Sequence, residues 1–222
     1  MKNISIFSFG RIKSQRCENK MLRPFCDTTI TDIMLQKLNN LSQNKNSTFF
    51  AGYEKEFKKK CVIQDVRFVK RDKLSVNIDG PIDKILSFLK TEQSEYFIII
   101  NACQPLLKID TINSFIKFVR NKKIQSAFTI KKNHNFYLDK NKNPLNFNPK
   151  LKTINTKKSS QIYEFSHSLY FFNKEFFFKN KKYWNWDDLS YFIIEDNIET
   201  IDIDTENDFI IAESVFKNLK KI

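Results

Sequence analysis

Two stretches far apart in the sequence hold the residue types that handle phosphates. The first is Gly10-Arg11-Ile12-Lys13-Ser14-Gln15-Arg16-Cys17-Glu18-Asn19-Lys20. Its cations, Arg11, Lys13, Arg16 and Lys20, suit a triphosphate, because an arginine can grip two oxygens at once and a lysine offers a compact charge to a leaving pyrophosphate. The glycines and the Gly-Lys-Ser/Thr ending of a Walker loop are missing, and a basic loop alone is also what a solvated surface looks like. The second stretch is Glu199-Thr200-Ile201-Asp202-Ile203-Asp204-Thr205-Glu206-Asn207-Asp208-Phe209. Read as a strand over Glu199 to Ile203, it sets Asp202 and Asp204 two apart, with both carboxylates on one face at the strand's end. Hard oxygens at that spacing suit a phosphate-bound magnesium, which keeps several waters and takes few protein ligands. Asp204 and Asp208 equally fit the start of a final helix, and the residues alone leave the two readings level.

These stretches need elements to hold them. Ile4 to Phe9 reads as a strand, so the basic loop leaves its carboxyl end, where open α/β sheets bind ligands. Ile30, Ile33, Met34, Leu38 and Leu41 form a helical stripe. Ser47 to Tyr53 and Val62 to Val69 read as strands. Pro81 suits the first position of a helix whose apolar face is Ile82, Ile85, Leu86 and Leu89. Tyr96 to Asn101 is apolar throughout, as a central strand should be, and Ile109 to Val119 repeats at helical spacing. From about Lys131 to Lys158 a polar stretch leaves the pattern, as a lid, substrate loop or dimer arm does. Ser168 to Phe172 reads as a strand, Lys174 to Phe178 as a helix, and Phe209 to Leu219 as an amphipathic helix, opened by a capping box of Thr205 and Asp208. The alternation predicts one α/β domain over residues 1–222, a mostly parallel sheet with helices on both faces.

Composition supports that class. The 222 residues carry 41% hydrophobic and 28% charged side chains, with 23 Phe against 3 Gly, so core material is plentiful. The net charge of +13 would help recruit a triphosphate. Its lysines are scattered without an aromatic-interleaved consensus, so no nucleic-acid partner is expected. The longest apolar run is strand-length, so neither a membrane span nor a signal peptide is expected. Cysteines at 17, 26, 61 and 103 form no C-x-x-C pair; these features predict a reducing cytoplasm.

The first loop resembles the A-R-x-x-S-x-R-x-x-x-K fingerprint of the sugar-activating cytidylyltransferases, the acylneuraminate and 3-deoxy-octulosonate group. Arg11, Ser14, Arg16 and Lys20 fall in register, with Gly10 where Ala is usual. Further resemblances follow in the family's order: Val69 to Leu74 with Arg71, Asn101-Ala102-Cys103-Gln104-Pro105-Leu106, Gln161 with Tyr163 to Tyr170, and Ile201-Asp202-Ile203-Asp204-Thr205 with Asp208-Phe209. The resemblance implies a Rossmann-like nucleotidyltransferase sandwich with an acceptor and dimerisation excursion at about 131–186.

It also implies roles. Gly10, Arg11, Ser14, Arg16 and Lys20 would hold the triphosphate of CTP, with Arg16 and Lys20 catalytic. Arg71 would read the cytosine edge, with backbone near Asp79 and Gly80 closing on the base. Asn101, Gln104, Gln161, Glu164 and His167 would meet the acceptor, and Asp202 and Asp204 would bind magnesium, or manganese in its place. Cys103 stands where the octulosonate enzymes carry an acidic metal ligand, which leaves the metal to the last pair. The implied reaction is in-line attack of an acceptor oxyanion on the α-phosphorus, with pyrophosphate leaving and no covalent enzyme intermediate. The implied acceptor is a sialic-acid-like 2-keto sugar acid. A phosphonate acceptor, a glycosyltransferase using Asp202-Ile203-Asp204 as an Asp-x-Asp motif, and a basic binding protein are the alternatives. The aromatic-rich segment Phe165, Tyr170, Phe171, Phe172, Phe176, Phe177 and Phe178 exceeds what a sheet edge hides, which predicts a two-fold homodimer.

Overall fold

The structure, a computed structural model, describes residues 2–41, 45–77, 80–153 and 155–219. The expected contact at Asp79 lies outside them. The first strand, β1 (Ile4–Phe9), shows why it belongs at the sheet's middle. Ile6 and Phe7 point to opposite core layers, as successive strand residues must. The buried hydroxyls of Ser5 and Ser8 are satisfied by Ser94 Oγ at 2.8 Å and the Ile100 carbonyl at 2.7 Å.

The other strands are β2 (Thr48–Gly52), β3 (Arg67–Lys70), β4 (Tyr96–Ile100), β5 (Ser126–Asn133), β6 (Ile162–Asn173) and β7 (Leu189–Ile194). They form one sheet in the order β3-β2-β1-β4-β6-β5-β7. β6 runs antiparallel to β4 and β5, and every other pair is parallel. One face is covered by α1 (Ile30–Leu41), α2 (Lys55–Ile63), α5 (Ile109–Val119) and α7 (Glu206–Leu219), through residues such as Leu38, Phe57, Phe115 and Phe209. The other face packs against Leu86 and Leu89, which follow the short α3 (Lys73–Asn77) and α4 (Ile82–Ile85), and against Phe177 of α6 (Lys174–Asn180). The mostly parallel α/β architecture with helices on both faces is therefore present. Among the described residues, no helix is long and apolar enough to cross a membrane.

Several elements differ from expectation. Val62 and Ile63 end helix α2 and are exposed; Phe57 and Cys61, four apart, give that helix its buried side. Pro81 caps α4 from outside, and the apolar run continues as a 3-10 turn, Ser87–Thr91. The polar excursion begins after β5, and both β5 and β7 were unforeseen. Glu199 to Ile203 is no strand. A 3-10 turn, Asn197–Thr200, leads into extended chain tied by the Ile203 amide to the Cys103 carbonyl at 2.9 Å. Phe171, Phe172 and Phe177 are fully buried, so much of the aromatic segment is core and not spare surface.

Candidate active site

The basic loop departs from the carboxyl end of β1, where the Gly10 amide bonds the Ala51 carbonyl of β2 at 3.1 Å. A Cβ at position 10 would come within 3.1 Å of the Phe50 ring and 3.3 Å of Met21. Phe50 is fully buried, so the space that an alanine would need is already filled. The loop is pinned further along by the buried side chains of Cys17 and Met21. The Thr31 hydroxyl donates to the Met21 carbonyl at 2.6 Å, fixing the loop's end to α1.

A cavity of ≈ 440 Å³ opens beside this loop. Its walls include Gly10, Arg11, Ser14, Arg16 and Lys20 from the loop, Arg71 after β3, Cys103 after β4, and Asp204 before α7. Four separate connections, each at a strand's carboxyl end or near the last helix, thus meet at one place. Phe9, Gln15, Met21, Ser75 and Ile85 also line it. Sequence reasoning missed these, because none carries a charge and only folding brings Ser75 and Ile85 alongside the loop.

The charges are arranged in opposition. Asp204 pairs with Arg16 at 3.1 Å and with Lys20 at 3.6 Å. Lys20 Nζ also donates to the Ile203 carbonyl. Burial pulls the Lys20 ammonium down, but Cys103, Asp204 and Asp202 more than offset it, and its affinity for a proton is raised. Burial and the neighbouring Asp204 push the Asp202 carboxyl up, against the pull of Asn101, Lys20 and His167. Asp202 Oδ2 accepts from Asn101 Nδ2 at 3.0 Å, whereas buried Oδ1 has no hydrogen-bond partner among the described residues. Burial lifts the Cys103 thiol to about 11, so it stays protonated at neutral pH.

Asp204 does not cap α7. That work falls to Thr205 and Asp208: Asp208 Oδ2 accepts from the Thr205 amide at 2.8 Å, and Thr205 Oγ1 accepts from the Asp208 amide at 3.3 Å. The carboxylate of Asp204 is thereby left for the cavity.

The guanidinium of Arg71 is buried and donates to the carbonyls of Gly10 at 3.2 Å, Ser75 at 2.6 Å and Ile85 at 3.3 Å. Burial, then the neighbouring Arg11, lowers it to about 10. Arg71 therefore ties the loop to the chain beyond β3, and those three bonds occupy its terminal nitrogens. Gly80, with φ of 156°, adopts backbone that favours glycine and is not part of the cavity wall.

The expected acceptor residues separate into two groups. Asn101 bridges the His167 carbonyl at 3.1 Å and Asp202, so these three converge. Gln104 is fully buried; its amide donates to the Ser166 carbonyl at 2.7 Å, so it supports β6 and does not face the cavity. Gln161 and Glu164 lie on the outer part of the excursion, where Gln161 accepts from Tyr163 at 3.1 Å and Glu164 pairs with Lys131 at 3.1 Å.

A family model described as cytidylyltransferase matches residues 10–221, nearly the whole chain and every residue lining this cavity except Phe9. The chain belongs to the cytidylyltransferase family. It is a CTP-dependent nucleotidyltransferase that transfers CMP from CTP. Solved structures share the fold at low identity. One, described as CMP:2-keto-3-deoxy-manno-octonic acid synthetase complexed with CTP, aligns with a TM-score of 0.69 at 9% identity, covering 98% of this chain and 100% of that one. A cytidylyltransferase from Leptospira borgpetersenii gives 0.61 at 13%, covering 100% and 96%. The 4-diphosphocytidyl-2C-methyl-D-erythritol synthase of Anaerococcus prevotii gives 0.66 at 13%, covering 97% and 96%. No curated protein matches the sequence. The cytidylyltransferase thus keeps the sugar-activating fold while its motifs sit in a sequence far from these neighbours.

Proposed function

We propose that this cytidylyltransferase transfers CMP from CTP to an acidic sugar, a 2-keto sugar acid of the sialic-acid type, with release of pyrophosphate. The observation that carries the reading is the pairing of Arg16 and Lys20 with Asp204 on one cavity wall. A triphosphate competes for the same cations and a metal for the same carboxylate, so each replaces the counter-charge that the other removes. Arg11 and Ser14 would complete the phosphate contacts, and Gly10 and Arg71 would shape the base end.

Among the described residues no three His, Cys, Asp or Glu side chains gather as a metal cage. An ion that keeps most of its waters needs no such cage. The unpartnered Asp202 Oδ1 and the cavity-facing Asp204 fit one. Magnesium, or manganese in its place, would be held by Asp202 and Asp204 and would neutralise charge growing on the α-phosphate. The chain's own part is to hold the triphosphate through the loop and to orient the acceptor from the Asn101 and His167 side.

A two-fold dimer goes with this reading. Trp186, Tyr163 and Tyr191 are 60%, 50% and 45% exposed around the outer part of the sheet, more than a solvated edge needs. Light scattering should give twice the monomer mass at micromolar concentration. CTP-dependent pyrophosphate release across acidic sugars and phosphonates tests the reaction. The best kcat/KM should fall to a nine-carbon 2-keto sugar acid with CTP. A phosphonate used better would overturn the acceptor, and equal turnover of UTP would overturn the base selectivity.

A further inference from the structure

Around Lys20 the phosphate loop turns back on itself. The amides of Leu22 and Arg23 both donate to the Asn19 carbonyl, at 2.9 and 3.0 Å, with Asn19 at φ of 52°. Pro24 disfavours a further helical residue, so the turn stops at Arg23. Three residues past Lys20, the Arg23 side chain lies against α7. Its Nη1 donates to Glu206 Oε1 at 3.0 Å and its Nη2 to Glu206 Oε2 at 2.7 Å. The same guanidinium sits 3.7 Å from the centre of the Phe209 ring, and Nη1 also donates to the Glu18 carbonyl at 3.4 Å. A planar cation gripped along its edge and stacked on its face has little freedom left. Phe209 is itself buried and meets the fully buried Phe25 ring edge-on at 5.2 Å. Three residues further on, the Cys26 amide donates to Glu213 Oε1 at 2.6 Å.

Lys20, Arg23 and Cys26 thus attach the loop to α7 and the segment before it at successive points. The innermost attachment lies in the cavity, where Arg16 and Lys20 pair with Asp204 and Lys20 holds the Ile203 carbonyl. Arg23, Glu206 and Phe209 are not part of the cavity wall. A triphosphate that claims Arg16 and Lys20 opens the inner ion pairs and leaves the outer contacts in place. The loop and the carboxylates before α7 must then act from two walls on one group of phosphates. A misplacement of about 1 Å between such walls can cost 10²-fold in rate. An isolated exposed ion pair would be a weak tie, but the fork and the ring give this one a fixed direction.

We propose that Arg23 is a positioning residue of this enzyme. Its two-pronged, stacked clamp on Glu206 and Phe209 sets the spacing between the phosphate loop and the carboxylates before α7 once CTP has opened the ion pairs inside the cavity. The inference rests on the reading that the loop holds the triphosphate of CTP. Lysine cannot replace arginine here, because an ammonium offers no planar fork and no flat face for the Phe209 ring.

Two measurements test this. In the kinetic arm, Arg23→Ala should lower kcat with N-acetylneuraminic acid about 10- to 100-fold, while calorimetric affinity for CTP stays within about threefold. Arg23→Lys should fall between the two, and Glu206→Gln should show the same split between kcat and affinity. Adding Glu206→Ala to Arg23→Ala should cost little more, because both remove one clamp. A parallel loss of kcat and CTP affinity, additive losses in the double variant, or an Arg23→Lys enzyme equal to wild type would each overturn the proposal. Arg23→Lys and Glu206→Gln decide the matter even where Arg23→Ala does not fold, since both change half-exposed side chains by a few atoms. The second arm needs no acceptor. With CTP and magnesium bound, amide hydrogen exchange in the wild type should slow both in residues 11–23 and in residues 203–209. In Arg23→Lys the loop should keep that protection and the start of α7 should lose part of it; equal protection of both in variant and wild type would refute the clamp. Wild-type enzyme that fails to bind CTP would strike the underlying reading and the positioning role with it, whereas variants that match a CTP-binding wild type would strike the positioning role alone.

Discussion

Replacing Asp204 by Asn separates an architectural carboxylate from a working one. The side chain keeps its shape and loses only its charge. Its structural contacts are ion pairs to Arg16 and Lys20 at 3.1 and 3.6 Å, and it is 48% exposed. Exposed pairs of this kind contribute about 0–1 kcal/mol each. Part of that is returned, because Asp204 is one of the influences that push Asp202 up. The cap of α7 is untouched, since Thr205 and Asp208 make it. The net cost should stay near 1 kcal/mol, a fall in Tm of about 2–4 °C for a domain of this size. Turnover should behave differently. If Asp204 holds magnesium against the triphosphate, the variant loses several kcal/mol of charge stabilisation in the transition state. A loss of about 3–4 kcal/mol is roughly 10²–10³-fold in kcat. The assay is pyrophosphate release at saturating CTP beside a thermal melt, with magnesium and manganese titrated to seek partial rescue. A variant that melts normally and turns over within threefold of wild type would refute the metal assignment. A Tm fall beyond about 10 °C would refute the claim that Asp204 is structurally dispensable.

Other substitutions probe the same walls. Arg16→Ala and Lys20→Ala each remove a charge-assisted contact worth about 1.5–3 kcal/mol, so kcat/KM should fall roughly ten- to a hundred-fold. Lys20→Ala should also lower the Tm, because it orphans the Ile203 carbonyl, whereas exposed Arg16 should not; equal melting would count against the separation. Gly10→Ala should cost about 1–3 kcal/mol in denaturant unfolding through crowding of Phe50, and Gly10→Ala with Phe50→Leu should lose less than the sum of the two. Buried Lys37, whose ammonium donates to the Pro105 carbonyl at 2.7 Å, is lowered to about 7 by desolvation. Between that value and the ordinary lysine pKa the unfolded chain binds more protons, so Lys37 should make stability rise with pH across this window. The gain in Tm from pH 7 to 9 should shrink in Lys37→Met, and an unchanged gain would refute the assignment.

Much of this protein was legible in its sequence because local rules decided it. The stripe from Ile30 to Leu41 became α1 with the expected ends, and Tyr96 to Ile100 became a buried strand, since period and apolarity leave few other ways to hide those side chains. The Thr205 and Asp208 box could be read because its partners are three residues apart. Arg11, Ser14, Arg16 and Lys20 could be singled out because charge and spacing mark them without reference to anything distant. What the sequence left open involved partners far along the chain. Asp204 was balanced between helix start and cavity until folding set Arg16 and Lys20 beside it. Gln104 resembled a ligand contact, but its amide holds the Ser166 carbonyl in the bulge of β6. Val62 and Ile63 looked like a strand because β-branched residues favour one; the burial of Phe57 and Cys61 made them the end of a helix. The bulge at His167 has no local signature, because strands of unequal advance exist only once β5 and β6 are paired. Local periodicity thus set most elements and marked the phosphate loop, while long-range packing decided which polar groups were left unpaired and therefore free to act.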